Sequence, residues 1–255
     1  MKIITSLDNS LIKKLRSLSV KKYREQFGLC LLEGNKVVLE ALKRTGLVEY
    51  LIISNDNQEV LESLSEYNNK IIVVTPEIFR SLSSTITPQE IMACINITKE
   101  KPLESTDNLL VLDHLQDPGH LGTIIRSAVA SGHTEIVLID SVDPYNAKTI
   151  RSASGTIFDA NFHTIKKPEF IDFVKNNSYE ILVADMGGID IFNPNCNINY
   201  PYALIIGNEG NGVSKEFKTI ATKTIAIPML NNVESLNAGV SASIIMFNLT
   251  NKKGK

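Results

Sequence analysis

Five short, unbroken apolar runs follow residue 108: residues 109–112, 136–139, 181–184, 203–206 and 225–227, each bounded by turn-forming residues. A strand with one solvated face alternates apolar and polar side chains, so a run that is apolar throughout must be covered on both faces. Helical stretches separate several of the runs, and the pattern predicts a parallel sheet layered with helices. The last stretch, residues 236–249, reads as a helix rich in small and apolar side chains.

A smaller version of the pattern precedes it. Strand-like runs at 29–32, 50–53, 71–74 and 91–95 alternate with helical patterns at 36–44 and near 59–67. Residues 98–108, polar and containing Pro102, separate the two patterns. The expectation is two α/β domains, residues 1–98 and 109–255, joined by a linker at 99–108.

The chain carries a formal charge of −2, which alone argues against a polyanionic partner. The charge is unevenly spread: residues 1–45 hold ten Lys or Arg against four Asp or Glu. Two readings stay open, a surface that meets RNA or a solvated amphipathic helix in which Lys13, Lys14 and Arg16 alternate with Leu11, Ile12 and Leu15. No apolar run approaches the roughly 18–20 residues that span a bilayer, and the N-terminus lacks the apolar core of a secretory signal. Cys30, Cys94 and Cys196 are widely spaced and lack metal-ligand spacing, so buried thiols in a reducing cytoplasm are expected and no metal is.

Chemistry concentrates in three segments, each directly after a predicted strand, where ligands of parallel sheets collect. In the first, Asp117 to Ala128 (DPGHLGTIIRSA), Pro118-Gly119 reads as a turn and Arg126 as lying on a helix that starts at Thr123. Arg126 is either a surface ion-pair partner or a group that holds a phosphate or polarises a hydroxyl. In the second, IIGNEGNGVS from Ile205 to Ser214, three glycines let the backbone approach a ligand, although a plain tight turn is a serious alternative. It is neither a P-loop nor a dinucleotide fingerprint. The third follows Ile227-Pro228-Met229, where Glu234-Ser235-Leu236-Asn237 leads into small residues. Ser235 and Asn237 sit where a helix N-cap would, and the small residues would allow close approach of another chain or a crossing strand.

Taken in order, the three segments resemble the motifs of the SpoU (TrmH-like) RNA 2′-O-ribose methyltransferases, over residues 109 to 249. Lys21-Lys22-Tyr23-Arg24, Leu32-Glu33-Gly34 and Thr87-Pro88-Gln89 resemble, more loosely, the RNA substrate-binding domain that often precedes that module. The resemblance implies a C-terminal trefoil knot, a homodimer packed through the knotted domain, and S-adenosylmethionine held by Gly187, Ile206, Gly207, Ile227, Met229 and Leu236. It implies methylation of a ribose 2′-hydroxyl of rRNA or tRNA, with Arg126 activating the hydroxyl and Glu209, Ser235 and Asn237 in positioning roles. RNA contacts are implied for Lys21, Lys22, Arg24, Arg126 and Arg151. One position departs: His120 stands where the family usually has Asn. That departure motivates an alternative, an RNA-binding protein that keeps the fold without full activity; a different nucleotide-binding α/β enzyme is a third, weaker reading.

Overall fold

The computed structural model describes residues 2–97, 102–103, 107–231 and 234–253. Most of the expected linker lies outside these residues. The chain divides into two compact units, Met1–Lys99 with Tyr145–Gly155, and Glu100–Pro144 with Thr156–Lys255.

In the first unit, β1 (Lys2–Ile4), β2 (Leu29–Glu33), β3 (Val48–Ser54), β4 (Ile71–Val74) and β5 (Ile91–Asn96) form one sheet in the order β1-β4-β3-β5-β2. Pairing of β1, β4 and β3 is parallel, whereas β5 runs antiparallel to both β3 and β2. Helices α1 (Ser10–Ser17), α2 (Lys21–Phe27), α3 (Asn35–Leu42), α4 (Gln58–Ser63) and α5 (Pro76–Leu82) complete this α/β unit. Ile12 and Leu15 of α1 join Ile52, Ile72, Phe79 and Met92 in its core, while Lys13 and Arg16 face solvent. Burial pushes the Cys94 thiol up to about 12, which keeps it protonated and unreactive.

One buried charge organises this unit. Glu33 is 8% exposed and accepts hydrogen bonds from Ser83 Oγ (2.6 Å), Thr85 Oγ1 (2.7 Å), and Ser84 N and Oγ (3.0 Å each). Burial pushes its carboxyl pKa up, but these bonds outweigh burial and leave it below the ordinary value. The next residue, Gly34, has φ +117°, and a Cβ there would lie 2.3 Å from Gln89 Oε1. Only glycine fits that bend.

The second unit is a six-stranded, all-parallel sheet in the order β11-β9-β10-β6-β7-β8, as the apolar runs predict. Its strands are β6 (Leu109–Asp113), β7 (Glu135–Ile139), β8 (Asn161–Thr164), β9 (Glu180–Asp190), β10 (Tyr202–Ile206) and β11 (Lys223–Ala226). Helices α6 (Pro118–Ala130), α8 (Lys167–Asn176), α9 (Lys215–Ile220) and α10 (Ala238–Lys253) belong with it, whereas α7 (Ala147–Ala153) falls in the first unit. Val111, Val137, Val183 and Ile205 meet Phe170, Val174 and Phe217 in one core.

Three local expectations need correction. Pro118-Gly119 is not a turn: Asp117 Oδ1 caps the amides of Gly119 (2.6 Å) and His120 (2.9 Å), and Pro118 occupies the first helical turn, so α6 begins there. Strand β9 does not stop at Ala184. It runs to Asp190, with a register shift between Thr224 and Ile225 of β11, so Gly187 lies within the irregular stretch of the strand rather than after it. The terminal helix spans Ala238–Lys253, starting later than 236 and running past 249. Its small residues serve α6 of the same chain: Ser243 Oγ bonds Ser127 Oγ at 2.7 Å, and a Cβ on Gly239 would sit 3.2 Å from Thr123.

Candidate active site

Strand β6 ends at Asp113, 1% exposed. Ser214 N donates to its Oδ2 (2.8 Å), His114 Nδ1 lies 2.7 Å from its Oδ1, and Lys167 Nζ is 3.3 Å away. Burial raises this carboxyl's pKa, but the surrounding donors lower it by more, so the net shift is downward. The network ties the end of the glycine-rich loop to the end of β6.

That loop leaves β10 at Gly207 and folds back on itself. A Cβ on Gly207 would lie 2.2 Å from Gly212 C and Val213 N, so no side chain is tolerated. Asn208 pairs with Gly212 as an isolated bridge, and its Oδ1 accepts from Gly210 N (2.9 Å) and Asn211 N (3.1 Å). Its Nδ2 donates to His114 O at 2.9 Å. The rigid turn thus carries Glu209 outward above the strand ends.

Glu209 meets the first segment there. His120, on the first turns of α6, places Nδ1 2.7 Å from Glu209 Oε1. Its Nε2 lies 2.5 Å from Asn237 Nδ2, which precedes α10. Asn237 is the helix cap: its Oδ1 accepts from Gly239 N (2.9 Å) and Val240 N (3.3 Å). One imidazole therefore joins all three segments.

A cleft of about 460 Å³ opens over the ends of β9 and β11, lined by Met186, Gly188, Asp190, Ala226, Ile227, Pro228, Met229 and Glu234. Of the expected cofactor residues, Ile227 and Met229 line it. Ile206 is buried at the end of β10, and Leu236 is half-buried before α10. Asp190, Glu234 and Gly188 are cleft residues that the sequence reading did not single out. Their signal is acidic or glycine residues beside strand ends, which is legible only once β9 is known to continue to Asp190.

Arg126 is exposed on α6, and its guanidinium makes no hydrogen bond or ion pair among the described residues. Ser235 is likewise exposed and unbonded among them. In the first unit, Lys21 is exposed and pairs with Glu25 at 3.6 Å, Lys22 is exposed, and Arg151 donates to Ser84 Oγ at 2.6 Å. Arg24 corrects the expectation. It is 5% exposed, and its Nη1 donates to Leu18 O (2.7 Å) and Ser19 O (2.9 Å), so it stitches α1 to α2 instead of facing a ligand. His133 is a packing residue, buried between Ser131 Oγ (2.9 Å) and Tyr202 Oη (2.7 Å).

Comparisons with known proteins bear on the two parts of the chain separately. Residues 107–247 match the model of the SpoU rRNA methylase family, and residues 9–93 match the MRM3-like substrate binding domain. The 23S rRNA (guanosine(2553)-2'-O)-methyltransferase RlmP of Bacillus subtilis is 32% identical, over 98% of this chain and 99% of its own. The 23S rRNA (uridine(2479)-2'-O)-methyltransferase of Streptomyces viridochromogenes is 30% identical, over 73% of this chain and 69% of its own. The crystal structure of an AdoMet-bound rRNA methyltransferase from Sinorhizobium meliloti superposes with a TM-score of 0.82 at 25% identity, covering 97% of this chain and 96% of that one.

Proposed function

Because the chain belongs to the SpoU rRNA methylase family, we propose that it transfers a methyl group from S-adenosylmethionine to a ribose 2′-hydroxyl of RNA. The relatives above act on 23S rRNA, which favours ribosomal over transfer RNA as substrate. The observation that carries the reading is the convergence of α6, the loop after β10 and the start of α10 on His120, in the unit that also holds the β9–β11 cleft.

The cleft suits the cofactor. Its volume falls within the ~300–1,000 Å³ usual for ligand sites. Met186, Ala226, Ile227 and Pro228 offer apolar surface to an adenine ring, and Asp190 and Glu234 offer negative charge to a cationic ligand. At Gly188 a Cβ would lie 2.5 Å from the Ile225 carbonyl carbon, so the wall there is bare backbone. When bound, S-adenosylmethionine supplies a methyl carbon on a positively charged sulfur, open to in-line attack by a hydroxyl.

We assign Gly187, Ile206, Gly207, Ile227, Met229 and Leu236 to cofactor binding. The protein must align the hydroxyl and help it lose a proton. A guanidinium offers donors and no acceptor, so Arg126 acts by binding a substrate phosphate and stabilising the developing alkoxide, not as a free base. Glu209, Ser235 and Asn237 position the ribose. We assign the N-terminal domain, residues 1–98, to RNA binding, with Lys21 and Lys22 presenting cations, and residues 109–255 to catalysis, with Arg151 of that stretch as a further RNA contact.

Two further features follow from the same reading. Strand β11 lies outside β9 while α10 packs on α6, which supports the trefoil knot we assign to this domain. Ile189, Phe192, Val240 and Phe247 are large apolar side chains left exposed, which supports the homodimer we propose. We place the reaction in the cytoplasm, where the three free, buried thiols would stay reduced. No helix among the described residues is long and apolar enough to cross a membrane.

The test is tritium transfer from labelled S-adenosylmethionine into total RNA from cells lacking the protein. Wild-type protein labels ribosomal RNA; no label in any RNA would favour the RNA-binding module without catalysis. Arg126→Ala abolishes transfer while S-adenosylhomocysteine affinity stays near wild type, and wild-type turnover in that variant overturns the role of Arg126.

A further inference from the structure

We infer that His120 is held as its neutral Nδ1-protonated tautomer, and that in this form it is the positioning residue that sets Glu209 and Asn237 for the proposed reaction. The argument begins at α10. Its first amides have no partner within the helix and need an acceptor. Asn237 Oδ1 meets the amides of Gly239 and Val240, which fixes the orientation of the side-chain amide. The other amide atom is therefore the NH₂ group, and it faces His120 Nε2 at 2.5 Å. Two donors cannot share that contact, so Nε2 carries a lone pair and accepts. The ring proton is left on Nδ1, 2.7 Å from Glu209 Oε1, where it donates to the carboxylate. Protonating the ring at both nitrogens would drive an N–H against the Asn237 NH₂.

The direction of the chain of bonds thus runs from the helix cap through Asn237 and His120 to Glu209. Imidazole in water favours the proton on Nε2, so the site selects the less favoured form. An imidazole offers one donor and one acceptor to two different partners only as a neutral, fixed tautomer. Glu209 and Asn237 lie 89 and 117 residues from His120 in the chain, and no other described side chain bridges all three segments.

The tautomer does not depend on the proposed reaction, whereas the positioning role rests on it. The full-length, ligand-free chain labelled with ¹⁵N-histidine tests the first point by NMR, His120→Asn identifying the ring signals. Nδ1 should resonate as a protonated nitrogen and Nε2 as an unprotonated one; an Nε2-protonated or rapidly averaging ring overturns the inference. Asn237→Asp is the second variant. Aspartate caps a helix as well as asparagine, but presents an acceptor to Nε2, so both ring nitrogens should become protonated. An unchanged neutral spectrum overturns the inference again. For the positioning role, kcat of His120→Asn should exceed that of His120→Leu on the order of tenfold, as expected for a bond to a charged group, with KM for S-adenosylmethionine moving less. Equal kcat in the two variants sinks that role, while failure to label any RNA with wild-type protein sinks the proposed function and leaves the NMR result standing.

Discussion

The substitution Glu33→Gln tests the claim that one buried carboxylate holds the first unit together. The carboxylate receives its bonds on both oxygens, Ser83 and Thr85 on Oε1 and the Ser84 amide and hydroxyl on Oε2. Hydroxyls can turn round and accept from an amide NH₂, but the Ser84 backbone N–H cannot. The substituted glutamine therefore points its oxygen at Ser84 and its NH₂ at Ser83 and Thr85. The bonds to Ser83, Ser84 and Thr85 survive and lose their charge, while the Gln89 backbone N–H, which donates to Oε1 at 3.4 Å, is left facing an NH₂. A bond to a charged group contributes about 1.5–3 kcal/mol and a neutral one about 0.5–1.5 kcal/mol. Because the bonds share one acceptor group and do not add, the expected loss is about 2 kcal/mol. At roughly 4 °C per kcal/mol for a unit of this size, its unfolding shifts down by about 8 °C in calorimetry. Hydrogen exchange in peptides covering residues 83–90 should quicken with it. The pH dependence supplies a second check. The folded-state pKa lies below the ordinary value of 4.5, so the stabilisation is complete above that value and is lost as pH falls through the folded pKa. Wild type and variant should converge in acid. A loss under about 0.5 kcal/mol at neutral pH, the floor for a single bond, or a gap that widens on acidification, refutes the reasoning.

Three other outcomes are expected. Gly207→Ala drives a Cβ to 2.2 Å from the backbone of Gly212 and Val213; neither can retreat, so stability falls by about 3 kcal/mol, the upper end for overpacking, and calorimetry detects weakened S-adenosylhomocysteine binding. The double variant Lys21→Ala, Lys22→Ala lowers the slope of log affinity for RNA against log salt by about 2, one per lost phosphate contact; an unchanged slope moves the RNA surface off α2. Gly239→Ala supplies a better helix former but puts a Cβ 3.2 Å from both Thr123 Cγ2 and Asn237 Oδ1. Its melting temperature should stay at or above wild type while methyl transfer drops several-fold, and a matching drop in both would make Gly239 a packing residue only.

The sheet of the second unit was legible because strands buried on both faces leave runs such as 109–112 and 203–206 that little else produces. Its edges were not. Met186-Gly187-Gly188 interrupts the apolar run of β9, and only pairing with β11 beyond a register shift carries the strand to Asp190. The start of α6 was available in principle, since Asp117 followed by Pro118 is a cap signature, but Pro-Gly is equally a turn signature and the two cannot be ranked locally. Tertiary partners account for the rest. Arg24 turned inward because Leu18 and Ser19 offer carbonyls to it, and Glu33 finds its donors some fifty residues downstream. Motif order brought Glu209 and Asn237 onto the same short list, yet nothing in the sequence says that His120 touches both.

That contact also changes what the small residues of α10 mean. Gly239 and Ser243 lie one turn apart on the face toward α6, where Thr123 and Ser127 receive them. Larger side chains at either position would hold the two helices farther apart, and the first bond to stretch would be the one between Asn237 and His120, at the end where α10 begins. Packing and site assembly are therefore the same contact viewed at two heights along α6. Asn237 caps α10 with one amide atom and reaches His120 with the other, so the end of α10 is fixed in position by a bond that α6 supplies. The constellation we propose, drawn from three separate segments, needs such a fixed point, because Glu209 rides on a loop and Ser235 on irregular chain. In this protein the fixed point is His120, whose imidazole touches both Glu209 and Asn237.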